Sequence, residues 1–125
     1  MVTALVATLA LFVLMRDQGP NATMSSVKIP AFSMEAQLGR KSFERYCMEC
    51  HGKNAGGSDL GPPLIHKIYE PNHHSDMSFY RAAKNGVQAH HWPYGDMPPV
   101  KGANRNDVTD IIRYIRELQR ANGIF

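Results

Sequence analysis

A chain of 125 residues has room for one domain. Its formal charge of +3 and pI near 9.0 come without any Lys/Arg run, which argues against nucleic-acid binding. Both cysteines fall in one short motif, so none remains for a structural disulfide.

Residues 1–16 open with an almost continuous apolar run, Met1 to Met15, closed by Arg16-Asp17. The run is shorter than the roughly 20 residues that span a bilayer and has the length of a signal-peptide core. No basic segment precedes it, and the best small-residue cleavage site is only Thr23-Met24-Ser25. A cleaved signal and an uncleaved N-terminal anchor both fit, and the weak cleavage site favours the anchor. Residues 17–33 are polar, broken by Gly19, Pro20 and Pro30, and read as a linker to a domain over 34–125.

The first helix is predicted from Ser33 or Met34 to about Tyr46. Ser33 suits the N-cap and Glu35 the first turn. Gly39, Phe43 and Cys47 recur every four residues and share a face, flanked by Leu38 and Tyr46. Gly39 would allow another helix to come close.

Next comes Cys47-Met48-Glu49-Cys50-His51, the pattern of covalent c-type haem attachment. Two thiols at this spacing add to the two vinyl groups of one haem, and the adjoining imidazole ligates its iron. Two other readings are weaker. A thioredoxin-type pair would sit among strands, which are not evident here. A zinc site would space its histidine differently.

Gly52 to Ser58 is loop, followed by Gly61-Pro62-Pro63-Leu64. A ligating histidine donates its second ring N–H to a fixed acceptor. The Pro62 carbonyl is the candidate acceptor, and Leu64 could lie against the haem. A plain Gly-Pro turn is the alternative. A short helix follows from Ser75 to Lys84, capped by Ser75 or Asp76 and ended by Asn85-Gly86. Met77, Tyr80 and Ala83 form its apolar face, so Met77 reads as core packing.

The segment from Val87 to Val100 is irregular and stiffened by Pro93, Pro98 and Pro99. Such a loop suits a weak thioether ligand, and Met97 is the leading second ligand for the iron. His90 or His91 would instead give a bis-imidazole haem of lower potential. A Met filling a core gap is the ordinary alternative. The Trp92 indole N–H could reach a haem propionate, or Trp92 could be a core aromatic. His73-His74 and His90-His91, with His66 nearby, could bind copper or zinc, or could be solvated or propionate-binding. The last helix is predicted from about Asp107 to Ala121, with Asn106 as cap, an apolar stripe of Val108, Ile111, Ile115 and Leu118, Tyr114 beside it, and Arg116 and Arg120 suiting its C-terminal half.

Over residues 34–121 the chain resembles a class I, mono-haem cytochrome c of the bacterial periplasmic or membrane-anchored kind. The resemblance rests on Gly39 and Phe43, on Cys47 to His51, on Gly61 to Leu64, on Gly95-Asp96-Met97-Pro98-Pro99, and on Ile111, Tyr114 and Ile115. It implies an all-α fold, three to four helices around one haem, with the terminal helices crossing near Gly39 and Tyr114. It implies that Cys47 and Cys50 carry the haem, that His51 and Met97 ligate the iron, and that Pro62 accepts the His51 N–H. It further implies a haem domain outside the cytoplasm, periplasmic or anchored to the inner membrane.

The expected function is one-electron transfer without a catalytic residue, between redox partners such as a reductase, a dehydrogenase or a terminal oxidase. Two alternatives are a haem sensor or peroxidase-like enzyme whose sixth position opens, and a copper-handling cytochrome that uses the paired histidines.

Overall fold

The first helix begins where a serine can stop the chain and cap it. In the computed structural model, which describes residues 26–125, helix α1 spans Met34–Tyr46. The Ser33 hydroxyl accepts the Ala36 N–H at 3.1 Å, satisfying one of the amides a helix start leaves free. The same hydroxyl donates to Glu117 Oε1 at 2.6 Å, and the Ser33 N–H donates to Glu117 Oε2 at 3.1 Å. The start of α1 is thereby tied to the last helix. The predicted limits of α1 and its cap agree with this geometry.

Three more α-helices follow: α2, Met48–His51; α3, Asp76–Asn85; and α4, Arg105–Ala121. Single 3-10 turns occupy Lys53–Ala55 and Lys67–Tyr69. The described residues contain no strand, only an isolated antiparallel bridge between Val87 and Met97. The fold is all-α, as expected.

The core lies where α1 crosses α4. A Cβ added at Gly39 would stand 1.8 Å from the Asp110 carbonyl oxygen, so only glycine lets the two backbones approach this closely. Tyr114 packs beside that contact, its ring centroid 5.4 Å from Phe43 and 5.2 Å from Phe32. Phe43, Ile115 and Leu118 are fully buried there. Burying side chains of this size stabilises a small domain by about 1.5–3 kcal/mol each. Burial also pushes the Tyr114 phenol up to about 12.

Several details depart from the sequence reading. Helix α4 starts two residues before Asp107, and its cap is Asn104 rather than Asn106. The Asn104 side chain accepts from the Asn106 and Asp107 amides, while the Asp107 carboxylate accepts the Asn104 N–H, a reciprocal capping box. An asparagine two positions upstream could close that box because Asp107 falls at its third helical residue. Met77 is 46% exposed and does not pack in the core, and Leu38 is also exposed. Arg116 is buried rather than a solvated partner of the helix end.

The N-terminal tract of residues 1–16 lies outside the described residues, and no described helix is long and apolar enough to cross a membrane. The end of the stretch read as a linker rests on the domain. Val27 and Phe32 pack against the core, and Lys28 exchanges two hydrogen bonds with the Asn122 side chain, at 2.8 and 2.9 Å.

Candidate haem site

Cys47 caps both the end of α1 at Tyr46 and the start of α2 at Met48, so both thiols and the imidazole fall within about one and a half helical turns. Cys47 is half-buried, Cys50 is exposed and His51 is buried. Gly52, at φ +74°, turns the chain out of α2. A Cβ there would meet the Gly57 carbonyl oxygen at 2.0 Å, so the loop folds directly back on itself. That return brings Pro62 behind the ring of His51.

His51 Nδ1 lies 2.9 Å from the Pro62 carbonyl oxygen. A carbonyl only accepts, so Nδ1 carries the proton and Nε2 keeps its lone pair. Burial moves the His51 pKa below its ordinary value, with the Pro62 bond opposing more weakly. The neutral ring that results is the form a metal ion binds. The Cys47 thiol is pushed up to about 11, first by burial and then by repulsion from Cys50. This position favours an uncharged sulfur, which a thioether is.

One cavity of about 730 Å³ gathers the predicted residues. Cys47, His51, Pro62, Leu64, Trp92 and Met97 all line it, and Cys50 does not. Val108 and Ile111 of α4, with Phe79 and Ala82 of α3, add apolar wall. The volume falls in the range of sites that enclose a cofactor, about 300–1,000 Å³. The Cys47 thiol, an imidazole and a thioether around an apolar interior, with the Cys50 thiol exposed beside the same α2 turn, fit an iron porphyrin better than a hydrated ion.

Met97 is placed by its backbone. Its N–H and C=O pair with those of Val87, each at 2.9 Å, and Asp96 accepts the Ala89 N–H at 2.8 Å. These bonds hold the loop as a flap along one wall. Trp92 is also on that wall, but its indole N–H donates to the Tyr69 hydroxyl at 3.1 Å rather than standing free. Its ring meets His66 edge-on, with centroids 5.0 Å apart.

A polar network around the buried Arg116 and Gln119, which the sequence reading passed over, joins the 64–76 segment to the core. Arg116 Nε donates to Asp76 at 2.9 Å, and its terminal nitrogens donate to the carbonyls of Tyr69 at 2.7 Å and His74 at 2.5 Å. Gln119 Nε2 donates to the carbonyls of Leu64 and Tyr69, both at 3.0 Å. The signal was present in the periodicity. Gln119 lies four residues after Ile115 and Arg116 four after Ile112, so both belong to the inward face of α4. The histidine pairs also converge, with the His91 ring centroid 5.4 Å from those of both His73 and His74.

The family model for cytochrome c matches residues 36–119, from the first turn of α1 to the last turn of α4. Comparison with curated proteins gives no match, and comparison with solved structures gives none either. The matched span covers the helix crossing, the Cys-x-x-Cys-His stretch and the cavity wall that carries Met97. This chain therefore belongs to the cytochrome c family, whose covalent c-type haem and haem-based electron transfer it shares.

Proposed function

We propose that the protein is a one-electron carrier whose iron is held between His51 and Met97, with the haem bonded to Cys47 and Cys50. The observation that carries this reading is the His51–Pro62 hydrogen bond at 2.9 Å inside a cavity that Met97 also lines. The haem, when bound, supplies a ferrous/ferric couple. The chain's own residues do the rest. Pro62 fixes the tautomer and orientation of His51, so Nε2 is presented without rearrangement. The Val87–Met97 bridge holds the thioether on the cavity wall. Leu64, Phe79 and Ile111 give the cavity apolar lining. A methionine ligand and an apolar surround both favour the reduced state and raise the potential. With His51 and Met97 both supplied by the chain, a bound haem iron would keep one ligand set in its two oxidation states, so little reorganisation would accompany transfer.

The partners fitting this role are redox proteins that dock at the haem edge, such as a quinol-oxidising reductase, a dehydrogenase or a terminal oxidase. The proposed location is the periplasm, with residues 1–16 as signal or anchor and residues 34–125 as the haem domain.

The test is the absorption spectrum of the haem-loaded protein. A ferric sulfur-to-iron band toward the red is expected in the wild type and lost in Met97→Ala, with a fall in reduction potential. Persistence of the band in that variant would remove Met97 as the ligand. A high-spin wild-type spectrum, or ready binding of CO to the reduced form, would replace the carrier by a sensor or enzyme with an open iron position.

A further inference from the structure

Four histidines from two separate segments meet at the edge of the haem cavity. His73 and His74 follow the Lys67–Tyr69 turn, and His90 and His91 lie on the Met97 loop. Electron transfer through the haem uses none of them. Imidazoles left to themselves in water have no reason to cluster, because their protonated forms repel.

We propose that His73, His74 and His91 form a second metal site, a three-imidazole centre for a copper or zinc ion. One ring nitrogen from each lies within 4.8 Å of the others. His73 Nε2 and His91 Nε2 are 3.5 Å apart. Two imidazole nitrogens about 2.0–2.1 Å from a tetrahedral ion stand roughly 3.3–3.4 Å from each other, so this edge is already near its bound length. The third ligand has to close by no more than about 1.4 Å on the same geometry. Side-chain rotation at an exposed surface supplies that.

The orienting contact that metal-binding histidines use is in place. His74 Nδ1 donates to the Ile68 carbonyl at 2.6 Å, which leaves its Nε2 as the lone-pair nitrogen. The backbone behind His74 is fixed as well, because Arg116 holds its carbonyl at 2.5 Å. Three protein ligands leave one position of a tetrahedral ion open to water or a fourth donor. His90 stands next in line, its ring stacked on His74 at 6.2 Å, although its Nδ1 is committed to the Gln88 carbonyl at 2.8 Å. All-imidazole donors suit Zn(II) and Cu(II), with copper the tighter of the two. His74 and His91 also line the haem cavity, so a bound ion would sit at its rim.

The test titrates the oxidised, haem-loaded protein with Zn(II) and with Cu(II) against a chromophoric chelator, and records the copper EPR spectrum. One ion per haem is expected, with nitrogen hyperfine splitting in the copper signal. His73→Ala and His91→Ala should each weaken binding by about tenfold or more, since even outer partners of metal ligands are worth about 10–100-fold. His66→Ala, which removes a neighbouring imidazole outside the set, should leave affinity unchanged. His73 and His91 are exposed, and an unaltered haem spectrum in each variant verifies the fold. Wild-type binding no tighter than that of the His73→Ala/His91→Ala double variant overturns the site, as does an equal loss in His66→Ala.

Discussion

The two halves of the haem cavity are built in different ways. The α1–α4 side is protein packed on protein, with Phe43, Ile115 and Leu118 fully buried and Gly39 holding two backbones in contact. The wall formed by residues 86–103 has no fully buried side chain, includes Tyr94 at 40% exposure, and is held mainly by a short bridge and a few backbone bonds. The first region holds together by its own packing. The second is shaped to close over something that is not protein, and its thioether and aromatic side chains face that space. A domain of this size has a modest core, and a covalent cofactor completes it.

This contrast can be broken or sharpened by substitution, using urea unfolding of the haem-loaded protein. The largest effect is expected from Phe43→Ala, which empties the centre of the crossing and should cost about 3–5 kcal/mol. Gly39→Ala should cost about 3 kcal/mol, because the added methyl meets backbone that cannot move aside. A small cost at either position would mean that the crossing is not the self-sufficient half. Arg116→Ala should cost about 2–3 kcal/mol, because charged hydrogen bonds to Asp76, Tyr69 and His74 are lost together. It should also loosen the 69–76 segment that lies between the core and that wall, seen as faster amide exchange around Tyr69 to His74. Unchanged exchange there would show that this segment does not depend on the core. Asn104→Ala removes only a cap and should cost about 1 kcal/mol, with an unaltered haem spectrum.

The most gradual effect is that of acid. Burial lowers the His51 pKa, so below the ordinary imidazole value near 6.5 the unfolded chain takes up protons that the folded site refuses. Stability is therefore full above that value and falls as pH drops from it toward the lowered folded pKa. The proposed iron ligation acts in the same direction. His74, lowered first by partial burial and also by His73, His90 and Arg116, adds to the trend. An unfolding midpoint that stays flat from pH 7 to 5 would contradict it.

Much of the site was legible because its chemistry depends on local spacing. Cys47, Cys50 and His51 act as a unit of five residues, and their order survives in any fold that presents them. Pro62 and Met97 were singled out by the stiffness of their proline-rich loops, and the structure places the Pro62 carbonyl 2.9 Å from His51 Nδ1 and Met97 on the wall of the same cavity. The limits of α1 followed from Ser33 and from the Gly39–Phe43 face. The start of α4 lies upstream of the expected one because two asparagines, Asn104 and Asn106, offer the same cap chemistry two residues apart. Only the reciprocal bond with Asp107 separates them.

The sequence alone established an all-α chain with a haem attachment motif and a methionine in a proline-stiffened loop, because those properties reside in periodicity and in neighbouring residues. Tertiary structure decided what distant segments do to one another. It aligned Pro62 with His51, turned Arg116 and Gln119 inward against the backbone of the 64–74 loop, and directed the Trp92 N–H to Tyr69. It also brought His73 within 3.5 Å of His91, eighteen residues away. Which side chains share a few ångströms is set by how the loops cross the helix pair, and no local pattern encodes that crossing.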